Sequence, residues 1–349
     1  MEDAREIQTL FPEYLNEPAI DLGQLLGSRF RGLLSPVTHQ RSTIGQDQVY
    51  DLEKSIKYHK RHYNPQGIRR LLERALQHFN PVACPKVLDI GSGSGNSIAA
   101  ELQTLGGCEI VATDLSPHLL CIMKENLATE GLPEEKVNLI CMDVQEPYFV
   151  PASFDMACGS AILHHLVDPR RAVVNVMNAL KPEGAAVFFE PFEYGCVILK
   201  LLHNQILREA ALRADASFQE GEPLEARLDD KVMNFLRDIN HDYLLRSNVA
   251  DGVKNFTHEL DDKWLFTREF FEDIAKETGA KKVILYSNHE GMTETLFEDY
   301  IAQNFHLGRG WGRDVMPEWA WECAREFDRT ISKEVKLEFM IEGTIILVK

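Results

Sequence analysis

The apolar run Lys86-Val87-Leu88-Asp89-Ile90 breaks into Gly91-Ser92-Gly93-Ser94-Gly95, and helically spaced apolar residues follow through Leu105. This succession of strand, tight turn and helix constrains the chain more than any other feature. Residues without a Cβ adopt left-handed dihedrals at little cost and let the backbone approach a ligand closely. The alternation then repeats. Residues 109–113 read as a second strand ending at Asp114, 117–129 as a helix, 137–142 as a third strand ending at Asp143, and 154–159 as a fourth. Residues 170–180 are helical, Lys181-Pro182-Glu183-Gly184 is a turn, and 185–189 is a fifth strand ending at Glu190. A helix over 267–278, closed by Gly279, leads into a strand at 282–286, and 339–348 is the last strand. The pattern predicts an α/β fold: a doubly wound, seven-stranded, mostly parallel sheet with helical insertions after strands five and six.

Four regions follow from this reading. Residues 1–55 form an N-terminal segment with Pro12, Pro18 and Pro36 and a short helical pattern around 22–34. Residues 56–190 form the core, with Asn64 as an N-cap ahead of Pro65. Residues 191–263 are a helical insertion, and 264–349 complete the sheet around a second insertion at about 288–335. Long helices beside the carboxyl edge of a sheet suit a substrate cap or a homodimer contact equally.

Acidic residues outnumber basic ones 54 to 37, for a formal charge of −17, which disfavours general nucleic-acid binding. The opening residues lack the basic and apolar regions of a signal peptide. The most apolar later stretch, 185–202, is interrupted by Glu190, Pro191, Glu193 and Lys200, so no membrane insertion is expected. Seven cysteines without a Cys-x-x-Cys pair fit reduced thiols, a cytoplasmic location and no metal site.

The glycine spacing is G-x-G-x-G, with Gly95 one residue earlier than in the dinucleotide-binding pattern. Asp89 precedes the turn. Asp114 ends the second strand, where a carboxylate accepts hydrogen bonds from ribose hydroxyls, and Asp143 ends the third, where one accepts from an adenine amino group. Three carboxylates without a nearby lysine or arginine suit a cationic nucleoside better than a pyrophosphate. Ser116 reads as the N-cap of the following helix.

With these motifs in order, the sequence resembles the class I S-adenosylmethionine-dependent methyltransferases, in their small-molecule, quinone-biosynthesis-like branch. The resemblance covers about residues 56–190 and, more loosely, 264–286. It implies S-adenosylmethionine as cofactor, held by Asp89, Gly91, Gly93, Gly95, Asp114, Leu115, Asp143 and Val144. Tyr58 and Tyr63, within the cluster Tyr58-His59-Lys60-Arg61-His62-Tyr63, resemble an amino-terminal lid whose aromatic rings shield a sulfonium.

A base is needed only where the acceptor must lose a proton. His164 and His165, after the fourth strand, and Glu190, ending the fifth, are the candidates. Trp264, Trp311, Trp319, Trp321, Phe256 and Phe266 are candidates for an apolar acceptor pocket, and Arg309 and Arg313 for an acidic group of the substrate. The expected activity is methyl transfer to a small organic acceptor, at oxygen or nitrogen. The competing readings are a methyltransferase for protein or RNA and a non-catalytic cofactor-binding subunit.

Overall fold

The structure, a computed structural model, describes residues 8–39, 51–216, 227–246 and 262–349. Among them ten strands form one sheet: β1 (Thr9–Leu10), β2 (Ala19–Asp21), β3 (Leu33–Pro36), β4 (Lys86–Ile90), β5 (Glu109–Asp114), β6 (Val137–Cys141), β7 (Phe154–Ser160), β8 (Leu180–Pro191), β9 (Lys282–Ser287) and β10 (Glu342–Val348). Their order is β1-β2-β3-β6-β5-β4-β7-β8-β10-β9. The run from β3 through β6, β5, β4 and β7 to β8 is parallel, whereas β10 is antiparallel to both β8 and β9. The order reverses between β4 and β7, and open α/β sheets bind ligands at the carboxyl edge of such a switch point.

The seven expected strands are β4 to β10, and β1 to β3 correct the count to ten. These strands have two to four residues, too few to show alternation, and exist because the open edge of β6 offers β3 a ladder. The helical pattern expected around 22–34 is also corrected. It yields one helical turn at Gly23–Leu26 and a 3-10 turn at Ser28–Phe30, interrupted by Gly27 (φ 100°) and Gly32 (φ 85°). The Asp21 carboxylate gathers this loop by accepting from the amides of Gly23 at 2.7 Å and Gly32 at 3.0 Å. The turn expected at 181–184 lies inside β8 as a bulge: Phe154 faces Leu180 while Met156 already faces Ala185.

The helices are α1 (Leu52–His62), α2 (Pro65–Ala75), α3 (Asn96–Thr104), α4 (Pro117–Thr129), α5 (Pro169–Ala179), α6 (Glu193–Ala216), α7 (Asp230–Arg246), α8 (Arg268–Thr278), α9 (Leu296–Arg309), α10 (Glu318–Thr330) and α11 (Lys333–Phe339). Local sequence sets their ends. Asn64, Ser116 and Thr267 cap α2, α4 and α8 by accepting from the amides of Gly67, Leu119 and Phe270, and Gly279, at φ 66°, ends α8. Helices α2, α3 and α4 contribute to the core on one face of the sheet, around Leu72, Ile98 and Leu120. Helices α5 and α8 cover the other around Val173, Val176 and Phe271. A third core joins α6, α7, α9 and α10 through Leu202, Phe235, Phe305 and Trp321. All seven cysteines are free, and five are buried. No helix among the described residues is long and apolar enough to cross a membrane.

Candidate functional site

A cavity of about 840 Å³ opens at the switch point. Its floor is the turn after β4. Gly91, Gly93 and Gly95 all have positive φ, at 64°, 53° and 100°. A Cβ on Gly91 would lie 2.3 Å from Ile162, whereas one on Gly93 would meet only the Tyr58 ring at 3.9 Å. Helix α1 places Tyr58 there because the helix's C-terminal end is tied to this turn. His59 Nδ1 lies 3.1 Å from Ser94 Oγ, and the Asn96 side chain both donates to the His62 carbonyl and accepts from the Asn64 amide.

Of the residues expected to bind cofactor, Tyr58, Gly91, Gly93, Asp114, Leu115, Asp143 and Val144 line one cavity. The Asp114 carboxylate accepts from the amides of Gly93 at 2.9 Å and Ser116 at 2.7 Å, joining the tip of β5 to the glycine turn. Burial pushes its pKa up to about 6 against the pull of these amides. Asp143 at the tip of β6 is held by the amide and side chain of Gln145 at 2.9–3.2 Å. Glu17 and Glu146 add two further acids, and no lysine or arginine lines the cavity among the described residues. A nucleoside with a cationic sulfur suits this lining, and a pyrophosphate does not.

Three expected cofactor residues sit elsewhere. Gly95 lies behind the turn, where a Cβ would be 2.7 Å from Met123. The Tyr63 hydroxyl donates to Glu130 at 2.5 Å, and its ring lies against His59. Asp89 is fully buried beneath the turn beside Glu101 and Cys158, and its backbone carbonyl accepts from the hydroxyls of Ser92 and Thr113. Burial pushes the Asp89 carboxyl up to about 7 and that of Glu101 well above its ordinary range; the Asp89 charge raises the cost of ionising Glu101, whereas a hydrogen bond from Glu101 favours ionised Asp89. Because the folded state keeps the Asp89 proton that the unfolded chain releases near pH 4, stability falls as pH rises from about 4 to about 7. The slope approaches roughly 1.4 kcal/mol per pH unit for one such group. Asp89→Asn is expected to flatten this fall in urea-unfolding midpoints measured between pH 5 and 8; an unchanged slope would assign the dependence elsewhere.

The three expected catalytic residues also separate. His165 lines the cavity beside Ser160, Ala161 and Ile162. Glu190 does not: it is 2% exposed, and its Oε1 accepts from the amides of Ile162 at 3.0 Å and Leu163 at 2.7 Å. Its Oε2 lies 2.7 Å from His164 Nδ1, so Glu190 and His164 form a buried clamp on the turn after β7. The expected acceptor-pocket aromatics are corrected too. Trp264 and Phe266 belong to the core beside β8, Trp264 donating to the Leu166 carbonyl at 2.7 Å. Trp311, Trp319 and Trp321 belong to or pack against the helical core. Phe256 lies outside the described residues. Arg313 pairs with Glu298 and Asp299, and the Arg309 guanidinium lies 5.5 Å from the centre of the Phe235 ring, so neither faces the cavity.

Two contributors escaped the sequence. The N-terminal segment supplies Asn16, Glu17, Thr38 and His39 to the cavity wall, with Glu17 held by the Thr38 amide and hydroxyl at 2.7–2.9 Å. Asp262, at the end of the first insertion, stands 3.2 Å from His165 Nδ1 and 3.6 Å from His164 Nε2. No motif announces either, because both depend on contacts between distant segments.

Residues 88–188 match the family model described as "Methyltransferase domain". That stretch therefore carries a methyltransferase domain. Demethylmenaquinone methyltransferase of Clavibacter sepedonicus is 32% identical to it over 110 residues, covering 32% of this chain and 42% of that protein. Ubiquinone biosynthesis O-methyltransferase of Chromobacterium violaceum is 31% identical over 109 residues, 31% of this chain and 44% of that protein. Release factor glutamine methyltransferase of Deinococcus radiodurans is 40% identical over 134 residues, 33% of this chain and 46% of that protein. The chain thus spans less than half the length of each relative. The names point to different acceptors, so the match identifies the methyltransferase domain and leaves the acceptor open.

Proposed function

We propose that the chain transfers a methyl group from S-adenosylmethionine to a small organic acceptor, at oxygen or nitrogen. The observation that carries this reading is one cavity lined by Gly91, Gly93, Asp114, Asp143 and Tyr58 that continues to His165. In this reading Asp114 and Asp143 take the ribose and adenine, the turn passes beneath the methionine portion, and Tyr58 covers it. S-adenosylmethionine bound there supplies an activated methyl, its C–S bond breaking as the acceptor's O–C or N–C bond forms and S-adenosylhomocysteine leaves. The protein's part is orientation and exclusion of water, which in favourable cases lowers a barrier by roughly 7 to 11 kcal/mol. Of the three residues expected to serve the acceptor's proton, only His165 reaches the cavity, so removal of that proton depends on it. The possible homodimer and the cytoplasmic location remain parts of this proposal, and the described cavity includes no residue of the two helical insertions.

Calorimetry is expected to show binding of S-adenosylmethionine and S-adenosylhomocysteine but not of NAD; the opposite preference would end the reading. Incubation with labelled methyl donor and a host metabolite extract is then expected to yield a product heavier by one methyl. Label on protein or RNA alone would favour a macromolecular acceptor, and no label at all a binding subunit. Asp114→Ala is expected to weaken cofactor binding by roughly 1 to 3 kcal/mol, through the lost charged acceptor and the loosened Gly93 amide. His165→Asn is expected to lower turnover and leave cofactor affinity unchanged.

A further inference from the structure

We propose that His164, His165 and Asp262 form a binding site for a divalent transition-metal ion, with zinc(II) the best chemical match, at the wall of the methyl-transfer cavity. Three donor atoms, one from each side chain, lie within 4.8 Å of one another. Asp262 Oδ1 is 3.2 Å from His165 Nδ1 and 3.6 Å from His164 Nε2. Zinc bonds of about 2.0–2.2 Å to imidazole nitrogen and carboxylate oxygen in a tetrahedron place neighbouring donors roughly 3.4 Å apart, so the two edges to Asp262 bracket the required one, and the edge between the two imidazoles lies within 4.8 Å.

The surroundings match what orients metal ligands. Glu190 Oε2 receives His164 Nδ1 at 2.7 Å, which leaves Nε2, the atom facing Asp262, as the lone-pair edge. Two lone-pair atoms facing each other repel unless a cation lies between them. The second oxygen of Asp262 is held at 3.0 Å by Arg246, which also grips Asp242 at 3.1 Å. Glu190, Asp242 and Asp262 are three carboxylates facing two fixed cations, Arg246 and Lys263, so the cluster with neutral imidazoles retains one uncompensated negative charge. The His165 and Asp262 side chains are 34% and 41% exposed, and His165 lines the cavity. Three protein ligands with an open fourth position is the arrangement of reactive rather than structural zinc sites.

Ion binding stands on this geometry alone; only its use rests on the methyl-transfer reading. In that use, an acceptor hydroxyl takes the fourth position, its proton passes to solvent, and the metal-bound oxygen attacks the methyl. His165 then serves the proton as a ligand that holds the acidifying ion.

Cobalt(II) reports such a site directly, because tetrahedral cobalt absorbs visible light strongly. The full chain, stripped with a chelator, is expected to bind one equivalent of cobalt(II) with tetrahedral bands and no thiolate-to-cobalt band, and one equivalent of zinc(II) is expected to displace it. Asp262→Asn and His165→Asn should each weaken binding at least tenfold, with S-adenosylhomocysteine affinity measured alongside as the check that each variant is folded. Absence of saturable binding, a thiolate band, or equal affinity in folded variants would overturn the site. Loss of turnover in Asp262→Asn with a cobalt-silent parent would instead make the cluster a hydrogen-bonded relay, which also overturns it. Cobalt binding without S-adenosylhomocysteine binding would leave the site standing and remove the methyl-transfer reading.

Discussion

Glu190→Ala is expected to lower unfolding stability by about 3–5 kcal/mol, read as a large drop in the urea midpoint, whether or not any ligand is present. The carboxylate is buried and accepts from the Ile162 and Leu163 amides while meeting His164. Truncation strands two buried donors and one imidazole at once, and each unsatisfied group costs about 1–3 kcal/mol. That is a large share of the roughly 5–15 kcal/mol that holds an ordinary domain together. Were Glu190 instead an acceptor-orienting side chain, the same change would leave the midpoint untouched and alter turnover alone. Glu190→Gln, which keeps the volume and one acceptor oxygen, should fall between the two.

Gly91→Ala is expected to abolish cofactor binding and to destabilise the fold by roughly 2–5 kcal/mol, combining backbone strain with overpacking. The new Cβ would sit 2.3–2.7 Å from three atoms of Ile162, a side chain that itself lines the cavity, in a backbone held at φ 64°. Gly131 offers the control: its φ is 65°, and no atom lies within 4 Å of its Cβ position, so Gly131→Ala should cost only the strain, about 1 kcal/mol. Equal midpoints for the two variants would show that Ile162 yields without cost.

The helix caps and the strands carrying Asp114 and Asp143 were legible because each is written locally, as an apolar run ending in an acid or as Asn64-Pro65 ahead of helical spacing. Topology was legible for the same reason, since βα alternation admits few windings. The N-terminal strands were not, because a two-residue strand has no period. Separation of the candidate catalytic residues was not legible either. Glu190 ends its strand as Asp114 and Asp143 do, yet Ile162 and Leu163 fold back over it and take its oxygens into the interior. Asp89 lies outside the cavity lining for a related reason: it is the fourth of five residues in β4, with its side chain directed at Glu101 on α3. Adjacent residues of a strand project to opposite faces, so proximity to the glycine turn in sequence did not bring its carboxyl to the ligand side.

The place of β10 between β8 and β9 has a consequence for biosynthesis. A ribosome releases Lys282–Ser287 about sixty residues before Glu342–Val348, the only strand among those described that bonds to it. Through that interval the flank of β8 carries unpaired amides and carbonyls flanked by the apolar residues Val187, Phe188 and Phe189, an invitation to a neighbouring nascent chain. Substitutions that slow formation of the last strand should therefore reveal themselves first as insoluble product, before any change in the finished enzyme.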